Sequence, residues 1–73
     1  MTAAEMFKTL GFKQNSCAEA YICYEKKNCF NERICIEFYL NKRTFYASCG
    51  KYPHEITTDE FIAISMQFRE LGW

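Results

Sequence analysis

Residues 33–49, Arg-Ile-Cys-Ile-Glu-Phe-Tyr-Leu-Asn-Lys-Arg-Thr-Phe-Tyr-Ala-Ser-Cys, alternate apolar and polar side chains on both sides of an Asn-Lys pair. Alternation with a period of two, rich in β-branched and aromatic residues, marks strands buried on one side. In the first half Ile34, Ile36, Phe38 and Leu40 share a face, and Arg33, Cys35, Glu37 and Tyr39 share the other. In the second half, Arg43 to Cys49, Phe45, Ala47 and Cys49 oppose Thr44, Tyr46 and Ser48. A tight hairpin at Asn41-Lys42, with Asn41 at positive φ, pairs Leu40 with Arg43, Phe38 with Phe45 and Ile36 with Ala47.

Upstream, Glu19 to Glu25 reads as another strand, with Ala20, Ile22 and Tyr24 on one side and Tyr21, Cys23 and Glu25 on the other. Symmetric closure of the connection from Lys26 to Glu32 pairs Tyr24 with Ile34 and Ile22 with Ile36. All three apolar sets then fall on one face, the condition a register must satisfy. The expectation is an antiparallel meander with Arg33–Leu40 in the middle. Residues 13–18 read as a polar connection. Residues 51–55 read as a loop in which Pro53 ends any pairing.

Two helices bracket the strands. Thr2 with Glu5 and Thr57 with Glu60 have the spacing of capping boxes, in which each side chain satisfies the other residue's free backbone N–H. Ala3, Met6, Phe7 and Leu10 form one apolar stripe. Phe61, Ile64, Phe68 and Leu71, widened by Ile62 and Met66, form a second. Ile56 is placed to staple against Phe61. Gly11-Phe12 and Gly72-Trp73 end the helices alike, the glycine taking the left-handed conformation and the aromatic folding back. The fold predicted is a single α+β domain over residues 1–73, order α-β-β-β-α. It has two layers, both helices on the Ile/Phe/Leu face and the opposite face bare.

At 73 residues the chain has room for one domain. Hydrophobic content of 49%, aromatic content of 18% and a formal net charge of +0 are the reverse of a disordered composition. No apolar run approaches the roughly 18 residues a membrane span needs. Glu5 is out of place in a basic leader, so no secretory signal is expected. Five cysteines, an odd number, predict free thiols in a reducing, cytoplasmic setting. Cys17, Cys23, Cys29 and Cys35 recur every six residues, which matches no zinc-ligand spacing, and they read as small hydrophobes in strands and core.

The bare face carries the candidate binding residues Tyr21, Cys23, Cys35, Glu37, Tyr39 and Tyr46. Tyrosine is a residue that interfaces favour. The inferred register makes Cys23 and Cys35 direct cross-strand neighbours. An alternative is nucleic-acid binding through Lys26, Lys27, Phe30, Lys42 and Arg43. In that register the two basic pairs lie roughly 25 Å apart along a strand rising about 3.3 Å per residue, with Glu25 and Glu37 between. A groove that tracks a phosphate backbone needs a continuous positive path, which this layout lacks. Cys49 and His54, with Cys35 or Cys17, make a weak metal set. His54, the single histidine, has only Glu55 next door as an orienting carboxylate and reads as a loop residue. No phosphate-binding glycine loop exists. Hence no enzyme activity, cofactor, metal or small-molecule substrate is expected.

The segments Met-Thr-Ala-Ala-Glu-Met-Phe…Leu-Gly-Phe (1–12), Tyr-Ile-Cys-Tyr-Glu-Lys-Lys-Asn (21–28), Ile-Cys-Ile-Glu-Phe (34–38) and Ile-Thr…Glu-Leu-Gly-Trp (56–73) carry a resemblance. The chain resembles small uncharacterised proteins of prophages and mobile elements in Gram-positive bacteria. The resemblance implies a bacterial cytoplasmic setting and an accessory role, and it brings no activity or site residues. The cysteines here stand where such chains have Val, Ile or Lys. The function expected is a non-enzymatic interaction module that binds a protein partner, or a second copy of itself, through the tyrosine face.

Overall fold

The computed structural model describes residues 1–73, apart from the side chains of residues 16–18. The order is α1 (Ala3–Thr9), β1 (Lys13–Ala18), β2 (Tyr21–Lys27), β3 (Arg33–Tyr39), β4 (Thr44–Cys49), β5 (Tyr52–Pro53) and α2 (Thr58–Leu71). The strands form one antiparallel sheet in sequential order, β1-β2-β3-β4-β5. The α+β class and the central meander are as expected, with an added strand at each edge.

Both helix ends follow the sequence signals. Thr2 and Glu5, and Thr57 and Glu60, form reciprocal capping boxes. After α1, Phe12 N donates to Phe7 O at 2.9 Å and Gly11 N to Lys8 O at 3.0 Å, with Gly11 at φ 94°. This is a Schellman closure, and the Phe12 ring meets Phe7 edge-on at 5.5 Å. α2 ends in the same way: Trp73 N donates to Phe68 O at 2.9 Å and the two rings lie 5.3 Å apart.

The β3–β4 register is as predicted, Phe38 opposite Phe45 and Ile36 opposite Ala47. The turn differs. Leu40 to Arg43 all lie in it, and the positive φ falls on Arg43 (55°), so Leu40 and Arg43 are not a strand pair. Between β2 and β3 the register is two residues from the expected one, Tyr24 opposite Ile36 and Ile22 opposite Phe38. Asn28 accounts for this. Its Oδ1 accepts from Phe30 N and Glu32 N at 2.9 Å, its backbone N donates to Glu32 O, and Asn31 takes φ 62°. The connection thereby closes within residues 28–32. A slip of two keeps every side chain on its expected face.

Two other expectations are corrected. Residues 13–18 are an edge strand, Lys13 opposite Glu25 and Asn15 opposite Cys23. Pro53 does not end pairing; it lies opposite Ser48 in β5. Ala47 O accepts from His54 N, so Ala47 bonds toward β5 while Ser48 bonds toward β3. The position opposite Ser48 then points its backbone outward, where a missing N–H costs nothing.

Both helices cover the same face. Phe7 of α1 stacks on Tyr24 at 4.0 Å, and Ile36, Phe38 and Ile64 are almost completely buried. α2 is rotated from its expected setting: Ala63, Ile64, Glu60 and Gln67 are buried while Phe61 and Ile62 are exposed, so Phe61 is not stapled beneath the helix. The cause is polar. Tyr24, buried under both helices, donates its hydroxyl to Gln67 Oε1 at 2.7 Å. A buried hydroxyl without that partner would cost about 1–3 kcal/mol. The small Ala3 and Ala63, both wholly buried, let the helices approach closely.

Candidate functional site

The bare face is built from the odd-numbered residues of β1, β2 and β3 and the even-numbered residues of β4, because successive strand residues point to opposite sides. Its rows run Asn15, Cys23, Glu37, Tyr46 and Lys13, Glu25, Cys35, Ser48, with Tyr21, Tyr39, Thr44 closing one end. Tyr21, Cys23, Cys35, Glu37, Tyr39 and Tyr46 therefore share one surface, as expected. They do not contribute equally. Tyr46 is 48% exposed, whereas Cys23 is 4% and Cys35 9% exposed. The two thiols lie between taller neighbours, so what the face offers a partner is Tyr21, Tyr39, Tyr46 and Glu37.

Tyr21 and Tyr39 stand opposite one another with ring centroids 6.4 Å apart. Burial pushes the Tyr39 hydroxyl above its usual range, and the neighbouring Glu37 adds to this. Toward the other end, Glu25 accepts from Asn15 Nδ2 at 3.1 Å and forms an ion pair with Arg33. One end of the face is thus aromatic and the other a charged network.

Cys23 and Cys35 are not direct cross-strand partners. The two-residue slip sets Cys23 opposite Glu37 and Cys35 opposite Glu25, leaving the thiols as diagonal neighbours on one face. Both are free. Burial, then Cys35 and the carboxylates of Glu37 and Glu25, push the Cys23 thiol up to about 11, and burial also raises Cys35.

The basic residues stay apart. Lys26 lies on the helix face, its Nζ donating to Leu10 O at 3.1 Å and standing 4.6 Å over the Phe12 ring. Lys27 ends β2, and Phe30, 79% exposed, sits in the adjoining turn. Lys42 and Arg43 occupy the turn at the far end of β3, where Arg43 donates to Gly72 O.

Cys49 and Cys35 project to opposite faces, so they cannot share an ion, and Cys17 lies outside the described side chains. Among the described residues no three His, Cys, Asp or Glu side chains converge as a ligand set. Among the described residues no helix is long and apolar enough to cross a membrane.

One pair was missed in the sequence. His54 Nε2 lies 2.8 Å from Glu60 Oε1, the oxygen that also accepts from Thr57 N. The carboxylate that orients His54 is therefore Glu60, not Glu55. Glu60 is only 3% exposed, and its second task was invisible because the capping box already explained its presence. No protein-family model, no curated protein and no solved structure matches the chain.

Proposed function

We propose that this protein is a non-enzymatic interaction domain that binds a protein partner through the tyrosine end of its bare sheet face. One observation carries the reading: a five-stranded sheet has both helices on one side, while Tyr21, Tyr39 and Tyr46 stand together on the other. Tyrosine supplies large contact area with few torsions to freeze, together with a hydroxyl for orientation. Glu37 among the rings favours a partner that brings a cation or N–H donors. A role in binding and blocking a host protein, in a prophage setting, suits such a face.

The test combines Tyr21→Ala, Tyr39→Ala and Tyr46→Ala in one variant and compares it with wild type in partner capture from the native host. Truncating central interface tyrosines typically costs about 1–2 kcal/mol each, so capture should fall by two or more orders of magnitude. A photo-crosslinker at position 46 should label the same partner, and one at Ala4 on the helix layer should not. Capture that survives the triple substitution with the fold intact overturns the reading, as does labelling from Ala4 alone.

A further inference from the structure

On the bare face Glu37 is half-buried and forms no ion pair among the described residues. Most other carboxylates are engaged: Glu5 with Thr2 N, Glu25 with Arg33, Glu32 with Asn28, Glu60 with His54 and Glu70 with Ala3 N. Glu19, Glu55 and Asp59 are exposed to water. The cation on the same strand and face, Arg33, lies roughly 13 Å from Glu37 at about 3.3 Å per residue and is held by Glu25. Arg43, in the turn beyond Tyr39, donates to Gly72 O. The uncompensated charge is felt nearby. Burial first, and then neighbouring charges that include Glu37, hold the Cys23 and Cys35 thiols and the Tyr39 hydroxyl above their usual ranges.

The neighbours of Glu37 suit a cation. Tyr46 stands opposite it on β4 and is 48% exposed, Tyr39 is the next residue of β3 on this face, and Tyr21 lies diagonally on β2. Cys23, opposite on β2, and Cys35 are short and nearly buried, so the surface is low beside the carboxylate. A tyrosine ring attracts a cation to its face through its quadrupole, and a carboxylate attracts one through its charge. Both attractions meet where Tyr46 adjoins Glu37.

We propose that the protein partner engages this face with an arginine side chain, its guanidinium laid on the Tyr46 ring and its N–H fork on the Glu37 carboxylate. This rests on the tyrosine face being the docking surface. Arginine serves both contacts: the guanidinium is planar, weakly hydrated, stacks on aromatic faces and grips a carboxylate through two parallel N–H groups. The ammonium of lysine is a compact, strongly hydrated point charge that does neither as well. The pairing also supplies a counter-charge to the half-buried carboxylate that the fold leaves without one.

The probes are capped peptides, acetyl-Gly-Gly-Xaa-Gly-Gly-amide with arginine, lysine or citrulline at the centre, titrated into the full chain and followed by amide chemical shifts. The arginine peptide should give saturable shifts at Tyr21, Cys23, Glu37, Tyr39 and Tyr46. The lysine peptide should bind at least about threefold more weakly. Citrulline, which keeps the shape and loses the charge, should leave the same amides unmoved. Glu37→Gln should weaken the arginine peptide about tenfold or more, in line with loss of a hydrogen bond to a charged group. Tyr46→Ala should weaken it about threefold, and Glu55→Gln should change nothing. Unshifted amides on the helix layer establish that each variant is folded. Absence of saturable shifts, an equal response to lysine or citrulline, or binding unchanged in Glu37→Gln each overturns the inference. The photo-crosslinkers separate it from the wider reading. A silent arginine peptide with labelling from position 46 intact removes the arginine and leaves the docking face, whereas labelling from Ala4 alone removes the face itself.

Discussion

Cys23 lies on the sheet face that no helix covers, yet its side chain is 4% exposed and its ionisation is pushed up to about 11. A thiol at 11 in place of 9.0 holds roughly a hundredfold less thiolate at pH 8, and thiolate is the reactive form. Alkylation with iodoacetamide at pH 8, followed by peptide mass spectrometry, should modify the exposed Cys29 well before Cys23 and Cys35. Early loss of Cys23 would show that the face is looser than its packing implies. The same shift has a consequence for stability. The unfolded chain ionises Cys23 first, so its contribution is fully present below about pH 9 and is lost as pH rises toward 11. Urea midpoints should fall over that window, and less steeply in Cys23→Ala. At this scale the sequence revealed what is local: both Thr–Glu caps, and the aromatics that fold back after Gly11 and Gly72. It concealed His54–Glu60, because a carboxylate oxygen can accept from a backbone N–H and a ring nitrogen at once, and only coordinates reveal the second donor.

α2 begins on that shared oxygen, so its first turn joins helix capping to the position of His54. Thr57→Ala removes one cap and should cost about 1 kcal/mol in urea denaturation. Glu60→Ala removes the N3 side of the box and leaves both Thr57 N and the half-buried His54 without an acceptor. It should cost roughly 1–3 kcal/mol more. Equal losses for the two variants would mean that the histidine contact contributes nothing. Strand registers were legible where a short turn fixed them, as for Phe38 opposite Phe45. The β2–β3 register was placed two residues away because Asn28 organises its turn through side-chain bonds that hydrophobic alternation does not encode. β1 escaped notice for a different reason. Lys13, Gln14 and Asn15 are exposed, and the strand is held by backbone pairing to β2 more than by burial, so it leaves no periodic trace. In α2 the stripe of large apolar residues predicted the buried side incompletely, because Gln67 must face Tyr24 and the helix turns to allow it.

For the molecule as a whole, the decisive feature is the asymmetry of the sheet. Phe38 is wholly buried on the covered side, with the ring centroids of Phe7, Tyr24, Phe45, Phe68 and Trp73 all 6.0 to 6.3 Å from its own. Phe38→Ala should cost about 3–5 kcal/mol. A domain this small holds a stability near the lower end of the usual range, about 5 kcal/mol, so that one truncation should leave much of the population unfolded at 37 °C. Tyr46 stands one residue from Phe45 on the opposite face, pairs with Glu37 and is 48% exposed. Tyr46→Ala should cost well under 1 kcal/mol, as surface substitutions do. Thermal melts by far-UV circular dichroism separate the two outcomes: a broad or absent transition for Phe38→Ala, and a midpoint within a few degrees of wild type for Tyr46→Ala. Comparable losses would mean that the tyrosine face is packed against something in the folded protein, which would remove the surface on which partner binding depends. A near-wild-type Tyr46→Ala leaves that residue free of structural duty, so loss of capture caused by that single substitution can then be assigned to contact.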